Sequence, residues 1–202
     1  MPKENDEKPY VRVSQTYVLA IQYIFGVIIA VSFFVYADIL VPFSLNFEAG
    51  MVLVAYITVI ASFIGYALRI AKFPHQNVKR FIVDAILLYL YFQLIYAPLN
   101  SNFIYYLMLF PMIFAGYLVW GYLEYREYIL DDKYEKVPLK LRLRFSAVCF
   151  ILSLGVWIGY YLLRGAPEKA SSFNPGDVID WIYLFVICGV VIGFRFNRKL
   201  IG

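Results

Sequence analysis

Charged residues are scarce in this chain. They make up 16% of its 202 residues, against roughly 25% in an ordinary soluble domain, while hydrophobic residues make up 62%. The mean hydropathy is +0.70. A chain with so much apolar surface needs lipid around it, which excludes an ordinary soluble domain. Its net charge of +4 therefore gives no reason to expect nucleic acid as a partner.

Histidine and cysteine are also rare. His75 is the one histidine, and Cys149 and Cys188 both lie inside apolar runs. One imidazole and two such thiols do not supply a histidine-rich metal site, a bis-histidine haem site or a histidine-based catalytic triad. They also predict no structural disulfide. We therefore expect no metal site and no cofactor.

Motifs of several functional classes are missing. The sequence has no His-Glu-x-x-His, no Gly-x-Ser-x-Gly, no glycine-rich phosphate loop, no Thr-Val-Gly-Tyr-Gly filter and no helix with the spaced arginines of a voltage sensor. The first sixteen residues are polar, without an apolar segment or a small-residue cleavage site, so we expect no removable signal peptide. These absences argue against an enzyme, but they do not indicate any particular function.

Long apolar segments are what the sequence does have. A membrane crossing takes about 20 residues, and six segments reach or approach that length. The longest uncharged stretch, 85–123, exceeds one crossing and is divided by the turn-forming residues 98–102. The predicted spans are 17–36, 49–68, 81–97, 103–122, 145–163 and 178–196. They predict an all-α polytopic bundle of six transmembrane helices over 17–196, with tails at 1–16 and 197–202.

Basic residues are distributed very unevenly between the two sides of these spans. Sixteen of the 18 lie in the tails and in the loops that follow the second and fourth spans. Arg164 and Lys169 lie on the other side, together with five acidic residues. Because basic residues favour the cytoplasmic side, both termini are predicted to be cytoplasmic, in a multi-pass protein of the cell membrane.

Asp84 is the one acidic residue that we place inside the bilayer, since Asp180 stands at the start of the sixth span. Arg80 and Tyr91 share its helical face, four residues before it and seven after it. A carboxyl group at this depth is a candidate proton- or cation-binding site. The other interpretation is an acidic residue in a first helical turn, stabilised by the helix dipole and by Arg80.

Polar stripes on the second and third spans are candidate pore linings. Thr58 and Ser62 share a face of the second span with small residues, and Tyr89, Gln93 and Tyr96 recur at helical spacing on the third. Close helix packing and hydrogen bonds between helices explain both stripes as well.

Two carboxyl groups begin the sixth span. Asp177 and Asp180 are spaced to hold a hydrated cation or to attract cations to a pore mouth. They are also what a helix start needs, an N-cap residue and an acidic residue in the first turn.

A basic cluster, Lys140, Arg142 and Arg144, precedes the fifth span on the predicted cytoplasmic side. It suits anionic lipid headgroups, at about 1 kcal/mol per basic residue, or it only sets the orientation of the chain. Pro138 is expected to end the preceding helix, so 139–144 is predicted to be an interfacial turn.

Two glycine pairs at a spacing of four occur in the fifth and sixth spans. These are Gly155 with Gly159 and Gly189 with Gly193. Because small residues at this spacing let helices approach closely, we expect Gly155 and Gly189 to pack together between the two spans. The alternative is a homodimer face.

Together these features favour a small transport protein, a channel or carrier for a cation or proton, that acts as an oligomer. The alternative is a non-catalytic subunit or scaffold of a larger membrane complex, for which apolar faces and short loops suffice. A lipid-handling enzyme that uses the basic cluster is the third and least favoured function.

Overall fold

The computed structural model describes residues 9–40, 46–72, 78–100, 102–128, 136–164 and 176–200, which are almost entirely helical. The helices are α1 (Pro9–Val35), α2 (Ala37–Leu40), α3 (Phe47–Lys72), α4 (Val78–Tyr96), α5 (Phe103–Tyr128), α6 (Lys136–Arg164) and α7 (Val178–Leu200). A 3-10 turn, Ala97–Asn100, follows α4.

Six helices in the described ranges, all but the four-residue α2, are long and apolar enough to cross a membrane. They correspond one to one to the six predicted spans, including the pair separated by the turn near residue 100. The predicted all-α class and the number of candidate spans are therefore confirmed.

The helices extend beyond the apolar segments at their charged ends. α1 begins at Pro9 rather than at 17, and α5 continues to Tyr128 rather than ending at 122. Apolar length reflects the thickness of a bilayer, whereas helical hydrogen bonding continues past it wherever the backbone permits.

The interfacial turn predicted at 139–144 is wrong, because this segment is helical from Lys136 onward. Pro138 stands third in α6, inside the first turn. The backbone N–H groups of a first turn have no acceptor within the helix, so a proline there removes no helical bond. Pro138 accordingly belongs to a helix start and not to a helix end.

The centre of the bundle is α5, which packs against α4, α6 and α7. Its candidate span is 61% buried, whereas that of α1 is 17% buried. α1 packs against α3 and α4, and α3 also contacts α7. A site built from side chains of several helices is therefore expected along α5.

Consecutive long helices run in opposite directions, so the bundle has two ends. We call the end at which α1 begins the proximal end; α3, α5 and α7 finish there, and α4 and α6 begin there. The distal half is held by tyrosine hydroxyls that donate to backbone carbonyls, Tyr36 to Ile95 at 2.5 Å and Tyr106 to Met51 at 2.8 Å.

Aromatic rings also fill the distal half. Phe47 contacts Phe103 and Trp181 edge-on, with centroid distances of 4.9 and 5.5 Å. Gly176 turns the chain into α7 with a φ of 89°, and a Cβ there would lie 2.7 Å from the Cβ of Phe47. Only glycine meets both conditions, so the chain is tightly packed where it enters α7 at the distal end.

Candidate functional site: a buried charge network

Charged side chains collect inside the proximal half of the bundle, where burial is costly unless the charges are paired. Arg80 and Glu124 are fully buried, and Asp84 is 3% exposed. Six side chains from four helices form this group, which we call the proximal network: Arg69, Arg80, Asp84, Glu124, Glu127 and Arg195.

Helical spacing explains why these residues meet. Arg80, Asp84 and Tyr91 recur at intervals of four and seven on α4, as predicted for their shared face. On α5, Tyr117 and Glu124 are seven residues apart and lie on one face. Each helix therefore presents a single polar stripe toward the others.

Arginine–glutamate pairs form the outermost part of the network. Arg69 donates to both carboxylate oxygens of Glu124, with Nε 2.8 Å from Oε1 and Nη2 bonded to Oε2. Arg80 donates from Nη1 to Glu127 Oε2 at 2.7 Å, and its Nη2 lies 4.0 Å from Glu124 Oε1. Both guanidinium groups lie over the Trp120 ring, 4.7 and 4.6 Å from its centroid. The carboxylate and the ring hold two cations side by side.

Arg195 of α7 forms a second, inner part with hydroxyl groups. Its Nη2 donates to Tyr117 Oη at 2.7 Å and to Ser62 Oγ. Tyr117 and Tyr91 share a hydrogen bond between their hydroxyls at 2.5 Å. Four helices are thus connected through three hydroxyls, which can both donate and accept a hydrogen bond, and through Arg195, which only donates.

A cavity of about 20 Å³ lies among these side chains. This is room for about one water molecule. Its polar lining comprises Ser62, Tyr66, Arg69, Asp84, Tyr91 and Tyr117. Asp84 is the one carboxyl group in that lining, and it accepts a hydrogen bond from Tyr66 at 3.3 Å. Asp84 and Tyr91, which were predicted to share a helical face, both border this cavity.

The two carboxyl groups at the distal end have a different arrangement. Asp177 Oδ1 accepts from two backbone N–H groups in the first turn of α7, at 3.0 and 3.1 Å, and pairs with Arg164. Asp180 accepts from Tyr160 at 2.8 Å, from Arg164 at 3.1 Å and from the Gly176 N–H at 2.9 Å. The hydrogen bond from Arg164 holds the pKa of the Asp177 carboxyl below its usual range.

This geometry is that of a helix start, the second of the two interpretations. Both carboxylates are occupied by donors from the chain itself. In the part of the chain that the structure describes, three or more metal-ligating side chains do not come together.

The predicted pore-lining residues divide between the interior and the surface. Thr58 and Ser62 are buried, and each donates to a carbonyl one turn earlier in α3, at 2.7 and 2.5 Å. Tyr89 is 61% exposed, Gln93 accepts from a tyrosine of α5, and Tyr96 packs against a neighbouring ring on α4. Only Ser62 borders the cavity, while the α4 stripe lies away from it.

The glycine pairs lie mostly on open surface. A Cβ built at Gly155, Gly189 or Gly193 would meet no atom of the described chain within 4 Å, whereas one at Gly159 would lie 3.2 Å from Tyr183 Oη. The expected contact of Gly155 with Gly189 between α6 and α7 is therefore not formed. Large rings make the contact instead, since Tyr183 packs edge-on against a tyrosine of α6 with centroids 5.1 Å apart.

The basic cluster lies at the start of α6. Lys140 and Arg144 are exposed, and Arg142 is half-buried. Two of the three side chains are thus accessible at the proximal end. A contact with lipid headgroups, as predicted, needs such accessible side chains at that end.

Glu124, Glu127 and Arg195 were not predicted to be parts of a site. The two glutamates lie beyond the fourth predicted span, which ends at 122, and Arg195 was counted only among the basic residues at the end of the sixth, 178–196. The available signal was the helical spacing from Tyr117 to Glu127, which continues the buried face of α5 past the predicted end at 122. No protein-family model, curated protein or solved structure matches this chain.

Proposed function

We propose that the chain is a multi-pass integral membrane protein, with both termini cytoplasmic, that transports protons through the proximal network. Six long apolar helices and the concentration of basic residues on one side support the membrane orientation. The proximal end is then the cytoplasmic end.

The observation that carries this proposal is the position of Asp84. It is a buried carboxyl group beside a cavity of about 20 Å³, which is the size of about one water molecule. Ionisable groups inside membrane bundles commonly belong to proton relays. The hydroxyls of Tyr66, Tyr91 and Tyr117 provide the neighbouring donors and acceptors that such a relay needs.

A proton fits this site better than a metal cation. Arg69 borders the same cavity, so a bound metal ion would face a guanidinium group across a water-sized space. Metal cations also require several oxygen ligands in place of water, and the cavity presents one carboxyl group. A proton needs only that carboxyl group.

Proton flux into liposomes that contain the purified protein tests the proposal. A pH-sensitive dye inside the vesicles reports flux after a pH jump in a mixed buffer of chloride, nitrate and phosphate salts. Asp84→Asn should reduce flux to the level of protein-free liposomes, because the amide cannot take up the proton. Asp84→Glu should retain part of it.

The matched control is Asp38→Asn, which removes an exposed carboxyl group near the distal end and should leave flux unchanged. Size-exclusion profiles and unfolding midpoints must show that each variant is folded. Full flux from folded Asp84→Asn would contradict the assignment of Asp84.

A second function, that of a subunit of a larger membrane complex, is favoured by the glycine surfaces. Gly155, Gly189 and Gly193 leave open space on α6 and α7 within the described chain, which lets a helix of another protein approach closely. Well-folded wild-type protein without proton flux would favour this function. Extraction from its native membrane in mild detergent should then recover a partner at fixed stoichiometry.

A further inference from the structure

Arg195 differs from Arg69 and Arg80 because its hydrogen-bond partners carry no charge. Those partners are the hydroxyls of Ser62 and Tyr117, and the guanidinium also lies 5.4 and 5.2 Å from the centroids of the Tyr117 and Phe194 rings. Among the side chains that the structure describes, no carboxylate forms an ion pair with Arg195.

Two nitrogen atoms of Arg195 are buried donors without acceptors. Nε and Nη1 are both inaccessible and have no hydrogen-bond partner among the described residues. Together they carry three N–H groups. Arg195 as a whole is half-buried, but leaving these two buried nitrogens of a cation unbonded is costly, and an anion is the ligand that satisfies both the charge and the donors.

The charges around Asp84 make the binding of such an anion depend on protonation. The described charged and hydroxyl groups that face this region come from four helices. They are Ser62, Tyr66 and Arg69 from α3, Arg80 and Tyr91 from α4, Tyr117, Glu124 and Glu127 from α5, and Arg195 from α7; α1 contributes the apolar Ile21 and Phe25. The three arginines and the three carboxylates cancel in formal charge when all are ionised. Protonation of Asp84 leaves one positive charge in excess.

We infer that Arg195 is the binding group for a small monovalent anion, with Ser62 and Tyr117 beside it, and that this anion binds together with a proton at Asp84. The cavity that Ser62, Tyr117 and Asp84 share has a volume of about 20 Å³, which admits only a small ion and is too small for a lipid headgroup. Arg195 does not border this cavity itself and reaches it through its hydrogen bonds to Ser62 and Tyr117. This inference rests on the proposed function and deepens it, because it makes the transported pair a proton and an anion.

Chloride binding to the purified protein in detergent tests the inference without transport. Ligands that bind the folded state raise its unfolding midpoint, so the midpoint is followed against chloride concentration. Gluconate, which is larger, replaces chloride at constant ionic strength. The chloride dissociation constant should be about tenfold or more lower at the acidic end of the pH range in which the protein stays folded than at the alkaline end, in the range typical of coupled sites.

Three variants separate the parts of the inference. Arg195→Gln should abolish chloride stabilisation, and Asp84→Asn should bind chloride equally well at both pH values, because its side chain is neutral throughout. The matched control is Arg126→Gln, which removes an exposed cation from the same end of the bundle and should behave as wild type.

If Arg195→Gln fails to fold, Arg195→Lys replaces it. The lysine keeps the positive charge and loses the Nε and Nη1 donors, so chloride should bind at least about tenfold more weakly. Equal chloride affinity in Arg195→Lys and wild type would overturn the inference. So would stabilisation by anionic lipid or inorganic phosphate in the absence of any chloride effect.

The flux assay keeps the two proposals apart. Proton flux that depends on Asp84 but persists when gluconate replaces chloride, nitrate and phosphate would uphold proton transport and overturn the anion site. Chloride binding that strengthens at low pH, without proton flux in liposomes, would uphold the anion site and overturn transport.

Discussion

At the scale of single residues, the outer part of the proximal network depends on the particular side chains present. Arg69 donates through two nitrogens to the two oxygens of Glu124 and lies over Trp120. Lysine offers neither the planar fork nor the same stacking. A buried ion pair of this kind matters for stability mainly because removing one partner leaves the other as an uncompensated buried charge, which destabilises the folded state.

Glu124→Gln should therefore destabilise the protein strongly. The substitution removes the carboxylate that accepts from Arg69 and lies 4.0 Å from Arg80, and it leaves surplus positive charge in a buried site. We expect a loss of about 3–5 kcal/mol in the free energy of unfolding. Denaturant titration in mild detergent, followed by circular dichroism, measures it.

A double-mutant cycle provides the control. Arg69→Met combined with Glu124→Met should cost less than the sum of the two single substitutions, because neither charge is left without the other. Additive losses, or a Glu124→Gln protein as stable as wild type, would show that the pair is not coupled.

At the scale of helices, the closeness of α4 and α5 brings Asp84 and Tyr117 to one cavity. α5 continues through Pro111 without a break, so its buried face is kept in register from the distal half to Glu127. Gly116 stands where the two helices meet. A Cβ built on it would lie 2.6 Å from Leu87 Cδ2 and 3.2 Å from Leu87 Cγ.

Gly116→Ala should lower stability, because Leu87 is buried and has to shift within a packed core. Overpacking of this kind costs typically about 1–3 kcal/mol. Gly189→Ala is the matched comparison: the same substitution in open space should leave stability equal or slightly higher, since alanine is the better helix former. Unfolding midpoints in detergent compare the two.

Trimming the opposing side chain distinguishes overpacking from other causes. The double variant Gly116→Ala/Leu87→Ala should be more stable than Leu87→Ala alone, because the added methyl group then fills part of the space left by the leucine. Equal losses from Gly116→Ala and Gly189→Ala would show that the α4–α5 approach does not determine stability.

The helices themselves were predictable from the sequence, whereas their partners were not. Hydropathy is a local property, and it located all six long helices and the turn between α4 and α5. The shared face of Arg80, Asp84 and Tyr91 was equally local. Ser62 and Arg195 are 133 residues apart, however, and Arg69 and Glu124 are 55 apart. Only the packing of four helices brings such residues together.

At the scale of the whole molecule, the two ends of the bundle use charge differently. At the distal end, Asp177 and Asp180 are occupied by Arg164 and by backbone donors, and they fix the start of α7. At the proximal end, the network extends inward to a cavity, and exposed basic residues such as Lys140 and Arg144 lie outside it. This asymmetry places Asp84 nearer to the predicted cytoplasmic surface.

The orientation of the bundle is tested by labelling single cysteines. In a background with Cys149 and Cys188 changed to alanine, Glu48→Cys marks the distal end and Lys140→Cys the proximal end, both at exposed positions. A membrane-impermeant maleimide applied to intact cells should label Glu48→Cys alone, and permeabilised cells should show both labelled.

The background protein without added cysteines serves as the control and should remain unlabelled in both preparations. Labelling of Lys140→Cys alone in intact cells would reverse the orientation, and Asp84 would then open toward the outside. Labelling of both positions in intact cells would contradict a spanning bundle altogether. The expected pattern would mean that a proton bound at Asp84 comes from the cytoplasmic side, because the proximal end lies there.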